Sequence, residues 1–195
     1  MRLVICPGMH DPKLTDAFLA GISEVWGDAQ PRQNTQTFYP IEIFPAHKHP
    51  PLCAIDIFQF LCREELAGES LVFVSFSAGV VGAIGAAWMW QQVGGKVAAF
   101  IAVDGWGVPL GGTFPIHRIS HDRFTHWSSA ILGGGGDSFY ADPPIAHLDL
   151  WRQPQTALGW ETSHTALGGR ETFKPATAAT FLVHLLKRYG VQSVV

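Results

Sequence analysis

The chain opens on a short aliphatic run, Leu3 to Cys6, stopped by Pro7 and Gly8, which is the pattern of a buried parallel strand entering a loop. Phe18, Leu19, Ile22, Val25 and Trp26 then fall on one face of a helix, with Thr15 as its expected N-cap. Partial alternation from Phe38 to Phe44 predicts a second strand. After Pro50 and Pro51, the residues Ile57, Phe58, Leu61 and Leu66 mark a second helix, which Gly68 is placed to end. Leu71 to Val74 reads as a third strand. A small-residue helix from Ala78 to Gly94 and Gly95 follows, and Val97 to Val103 supplies a fourth strand. Beyond Asp104 the periodicity weakens, leaving Ile116 to Ser120 and Ala146 to Trp151 as further short strands. A last amphipathic helix, Ala176 to Tyr189, turns Phe181, Leu182, Leu185 and Leu186 inward, and Gly190 closes it.

Strands alternating with helices imply an α/β fold: a three-layer sandwich with a mostly parallel central sheet of about six strands and right-handed crossovers. In such sheets ligands bind outside the carboxyl ends of the strands. No internal repeat is visible, and Gly133 to Gly136 is too short a glycine run to separate domains. Residues 1–195 therefore read as one domain.

Composition narrows the picture. Hydrophobic residues make up 47% and charged residues 15% of the 195, which suits a sheet covered on both faces. The net charge of −3, with no run of basic residues longer than a pair, removes the electrostatic footprint of a nucleic-acid binder. Cys6, Cys53 and Cys62 are odd in number and lack zinc-like spacing, so reduced, packed thiols and a cytoplasmic setting are expected. The opening apolar stretch is too short for a signal-peptide core before Pro7 interrupts it. Leu71 to Gln92 is uncharged and about as long as a bilayer span, yet Ser75, Ser77, Gly79, Gly82 and Gly85 within it favour a buried strand turning into a helix. No membrane span is expected.

The segment richest in chemistry is Leu71-Val-Phe-Val-Ser-Phe-Ser-Ala-Gly-Val80: a strand, then Ser75-Phe76-Ser77-Ala78-Gly79, then a helix. Its five-residue turn resembles the nucleophile elbow of the α/β-hydrolases, in which a serine stands on a strained corner between small residues two before and two after it. Ser75 and Gly79 are small enough, although glycine is usual in the first position. Ser77 also admits a plainer reading as the N-cap of the helix.

The resemblance implies further roles. The backbone N–H of Ala78, at the helix start, would face an oxyanion, and Met9, after Pro7-Gly8, would supply a second N–H. The plainer reading of that loop is a Pro-Gly turn, with His10 a solvated histidine. The family order of serine, acid and histidine points to His164, in Trp160-Glu-Thr-Ser-His-Thr-Ala-Leu-Gly-Gly169, as the base. Asp122, at the end of Pro115 to Asp122, is the first candidate for the acid, and Asp104, at the end of the fourth strand, is the second. Neither a metal nor another cofactor is required, and His117, His121 and His126 read as structural or pocket-lining. The gap between Asp104 and Ile116 leaves no room for a cap domain, so an open site is expected, with Trp106, Phe114, Phe124, Trp127, Phe139 and Tyr140 as candidates for an acyl pocket.

The implied activity is hydrolysis of a small-molecule carboxylic ester or thioester through an acyl-enzyme. The leading alternative is a binding protein that keeps the fold without turnover. A nucleotide-binding domain is the weaker third reading, because Pro7-Gly8-Met9-His10 has neither a phosphate-cradling glycine pattern nor a P-loop lysine.

Overall fold

The computed structural model describes residues 1–27, 41–133, 135–164 and 171–191. Strand β1 (Arg2–Cys6) leads into α1 (Pro12–Gly27), which starts earlier than Thr15. Asp11 begins it by accepting from the Lys13 N–H at 2.9 Å, with Pro12 in the first-turn position that tolerates proline. Thr15 is instead buried inside the helix, where it accepts from the Trp151 indole at 3.4 Å. Of the strand expected over Phe38 to Phe44, residues 38–40 lie outside the described residues, and Ile41–Ile43 forms β2. Then come α2 (Ala54–Leu61), a single 3-10 turn at Glu64–Leu66, β3 (Ser70–Phe76), α3 (Ala78–Gln92), β4 (Lys96–Val103) and β5 (Ile116–Ser120). The remainder is α4 (Arg123–Ala130), β6 (Ser138–Ala141), α5 (His147–Arg152), β7 (Leu158–His164), β8 (Glu171–Thr177) and α6 (Ala178–Arg188).

Among the described residues the strands form one sheet of eight in the order β2-β1-β3-β4-β5-β6-β7-β8, rather than about six. The pairs from β2 to β6 are parallel, and β7 and β8 join as an antiparallel hairpin. Side chains alternate across the strands, so each contributes to two cores. Val72, Val74 and Phe76 join Leu3 and Ile5 beneath Phe18 and Ile22 of α1, Trp151 of α5 and Phe181 and Leu185 of α6. Leu71 and Phe73 join Val4 and Cys6 beneath Ile57 and Leu61 of α2 and Val80, Ala83 and Ala87 of α3. Helices thus cover both faces, which gives the three layers.

Two expectations need correction. Ala146 to Trp151 is helix and not strand: Leu148 is exposed, Leu150 and Trp151 are buried, and that spacing follows a helical turn although the apolar residues alternate in sequence. The stretch before the last helix holds a whole strand, β8, so α6 begins at Ala178 rather than Ala176. Thr177 caps it, accepting from the Thr180 N–H at 3.1 Å. The uncharged run Leu71 to Gln92 is divided between β3 and α3, and no helix among the described residues is long and apolar enough to cross a membrane.

Candidate active site

Parallel register brings the chemistry together. Phe76 pairs with Val103, Val103 with Ile119 and Ile119 with Phe139, so four strands end nearly level. The residues just beyond these pairs, Ser77 after β3, Asp104 after β4 and His121 after β5, are therefore delivered side by side at the carboxyl edge of the sheet. The backbone confirms the alignment: the Ser77 N–H donates to Val103 O at 2.9 Å, and the Asp104 N–H to Ile119 O at 2.8 Å. The strand order also switches direction at β1 and β3, where such sheets form their ligand crevice.

Ser77 has φ 52° and ψ −123°, a conformation that non-glycine residues rarely adopt. It occupies the N-cap position of α3 but makes no side-chain capping bond. Its Oγ lies instead 3.0 Å from Nε2 of His147, the first residue of α5. The crowding expected of an elbow is present. A Cβ on Gly79 would stand 2.3 Å from Cys6 O and 2.5 Å from Pro7 O, both backbone atoms of the β1 loop. Ser75 is fully buried, so the small side chain two residues before Ser77 is a packing requirement. Cys6, its partner across the β1–β3 ladder, is no competing nucleophile, because burial pushes its thiol up to about 12.

His147 Nδ1 donates to Asp104 Oδ2 at 2.8 Å, completing a serine–histidine–carboxylate chain. The ring stacks on Phe76 at 4.7 Å, and Phe76 stacks in turn on Trp151, one turn further along α5. The Asp104 side chain is only 1% exposed. Burial by itself would raise its carboxyl, but hydrogen bonds from His121 and His147, with the charge of His121, bring it below the usual carboxylate range. Asp104 also has positive φ, at 50°, so both it and Ser77 sit in left-handed backbone at strand ends.

These contacts separate the sequence expectations. Ser77 stands between β3 and α3, within hydrogen-bond distance of His147. The carboxylate that meets the histidine is Asp104, the second candidate, whereas Asp122 caps α4 by accepting from the Thr125 N–H at 2.6 Å. His164 ends β7, and β7 runs antiparallel to β6, pairing Thr162 with Ser138 at the amino end of that strand. The reversed polarity carries His164 to the sheet edge opposite Ser77, while residues 165–169 of its expected loop lie outside the described residues. His147 escaped notice because its segment alternates like a strand and because β6, the four-residue strand ahead of it, is too short to stand out.

Gly8 lets the β1 loop pass directly against the elbow: a Cβ there would lie 3.0 Å from the Ser77 Cβ and 3.1 Å from Phe76 O. Met9 follows with its side chain exposed. Ala78 opens α3, where a backbone N–H has no acceptor within the helix. An open cleft of about 360 Å³ lies at Ser77 and is lined also by Ala78, Val81, Asp104, Trp106, Val108, His121, Thr125 and His147. Of the six aromatic residues expected to form a pocket, Trp106 alone lines this cleft; Phe114, Phe139 and Tyr140 are buried, and Phe124 and Trp127 are exposed. His117 bonds Asp137 O and the Tyr189 hydroxyl, a structural role, and burial lowers its imidazole below the ordinary histidine range. Asp104, His121 and His147 each offer one ligand atom within 4.8 Å of the others, so these are the described residues that could gather around a metal ion.

No protein-family model matches the chain, and no curated protein is similar enough to it to count as a relative.

Proposed function

We propose that this protein is a serine hydrolase of the α/β-hydrolase type, cleaving a carboxylic ester or thioester through an acyl-enzyme. One observation carries the reading: His147 bridges Ser77 Oγ and the buried Asp104 carboxylate, with Ser77 raised on a left-handed corner. Capping would not require that corner, and it leaves the hydroxyl facing the cleft.

In the proposed reaction, His147 Nε2 takes the proton as Ser77 Oγ attacks the substrate carbonyl. Asp104 holds the ring in the tautomer that leaves Nε2 free to accept and stabilises the imidazolium that forms. The Ala78 and Met9 N–H groups receive the oxyanion. Its collapse breaks the bond to the alcohol or thiol, which leaves with the proton from His147. Water, deprotonated by the same nitrogen, then releases the acid and restores Ser77. The apolar residues in the cleft lining, Ala78, Val81, Trp106 and Val108, suit an uncharged acyl group, and the cleft volume is near the low end for ligand pockets, which favours small or medium acids. Cys6, Cys53 and Cys62 are unpaired, consistent with the proposed cytoplasmic setting.

The test is reaction with a fluorophosphonate followed by mapping of the adduct. Modification of Ser77 alone is the expected result. A folded protein that takes up no probe would favour a binding scaffold without turnover.

A further inference from the structure

Asp104 serves two histidines. Its Oδ2 accepts from Nδ1 of His147 at 2.8 Å and from Nδ1 of His121 at 2.9 Å, while Oδ1 accepts the His121 backbone N–H at 2.9 Å. A carboxylate only accepts, so both rings carry hydrogen on Nδ1 and keep Nε2 for other purposes. For His147 that purpose is Ser77. For His121 it is Asp122, whose Oδ2 lies 3.4 Å from Nε2.

We propose that His121 is a positioning residue for the Ser77 reaction, clamping both oxygens of Asp104 and controlling, through its own charge between Asp104 and Asp122, how much of the carboxylate's charge reaches His147. The proposal rests on the serine-hydrolase reading. A neutral His121 turns a bare nitrogen lone pair toward the Asp122 carboxylate, an unfavourable contact that a proton converts into an ion pair. Its hydrogen bond to Asp104, followed by the charges of Asp104 and Asp122, accordingly raises its basicity above that of an ordinary histidine, against the opposing effect of burial. The groups facing it are Asp104 from the end of β4, Asp122 from the head of α4 and His147 from α5, whose ring centre is 5.9 Å away.

Two consequences follow. As a cation His121 offsets the Asp104 charge and repels the imidazolium that His147 must become, so it weakens the base. As a neutral ring it leaves Asp104 anchored but unopposed, so the base strengthens. Activity therefore gains a further rise with pH as His121 loses its proton.

The experiment compares the unaltered protein with His121→Asn and His121→Ala, following both phosphonate modification of Ser77 and ester kcat/KM against pH. The asparagine amide nitrogen takes the place of Nδ1, keeping the clamp without the charge. We expect the rise that follows deprotonation of His121 in the unaltered protein to be absent from His121→Asn. His121→Ala should lose about tenfold or more in kcat with little change in KM, and His121→Asn should recover most of that loss. If His121→Ala folds poorly, the asparagine profile decides the matter by itself. Superimposable profiles for the unaltered protein and His121→Asn, with Ser77 still labelled, would overturn the proposal alone. A Ser77 that takes no phosphonate in the unaltered protein would overturn the hydrolase reading and the proposal with it.

Discussion

Although 70 residues separate them in the chain, His147 Nε2 stands 3.0 Å from Ser77 Oγ. The contact depends on two different devices. Ser77 is fixed by the turn from β3 into α3, where Gly79 lies close against the backbone of Cys6 and Pro7. His147 is fixed by α5, which is six residues long and held by burial of Leu150 and Trp151. A ring mounted on so short a helix needs its neighbours, and Phe76, the residue before Ser77, supplies the stacking surface.

Removal of the proposed nucleophile should separate chemistry from folding. Ser77→Ala is expected to lower ester turnover by about three orders of magnitude or more while the melting temperature stays the same or rises, because the substitution opens no large cavity. Turnover retained within tenfold would mean that another group does the chemistry. The same assay with a chelator present checks the mechanism's independence of metal, since amide donors rather than a cation are assigned to the oxyanion.

The two pairs of rival residues should divide cleanly. His147→Ala and Asp104→Asn should each cost roughly three to four orders of magnitude in kcat. His164→Ala should leave kcat within a few-fold. Asp122→Ala should act mainly on stability, by about 0.5–2 kcal/mol for the lost helix cap. Steady-state kinetics and thermal denaturation of the four variants check this ranking, and a large kcat loss from His164→Ala would reverse it.

His121 also makes a stability prediction with a definite sign. Its basicity is raised in the folded protein, so its contribution is fully present below the unfolded histidine value of about 6.5 and is lost as pH climbs through the raised folded value. The melting temperature of the unaltered protein minus that of His121→Asn should therefore be greatest near pH 5.5 and shrink above neutrality. Asp104, held below the usual carboxylate range, stays ionised throughout this window. A difference that is flat between pH 5.5 and pH 9 would show that folding leaves the basicity of His121 unchanged.

Gly79→Ala tests the elbow itself. The new methyl would meet backbone oxygens of Cys6 and Pro7, which yield less readily than a side chain. Overpacking of this kind costs about 1–3 kcal/mol, and here the strain falls on the Ser77 turn. Lower thermal stability together with reduced phosphonate labelling is expected. Labelling at the unaltered rate would mean that the turn tolerates the displacement.

The sequence was most legible where local pattern and tertiary role agree. The run from Leu71 through Val80 showed strand, small-flanked serine and helix together because steric crowding at such a turn restricts residue choice within five positions. The later part of the site was much less visible. Asp104 and His121 are united by the parallel register of β4 with β5, a relationship between strands that no local spacing records. His147 sits where Leu148 and Leu150 imitate a strand, and only their unequal burial shows the helix. His164 was a reasonable expectation on chain order, but chain order does not show that the final hairpin reverses direction after β6.

That hairpin also determines how the sheet ends. Without β7 and β8, the backbone donors and acceptors along β6 would be open to any other extended chain. With them in place the outermost strand on this side, among the described residues, is β8, where Lys174 and Pro175 are both exposed. A chain docking there would meet a charge that resists desolvation and, at Pro175, a position with no N–H to offer, two features that discourage edge-to-edge growth into fibrils.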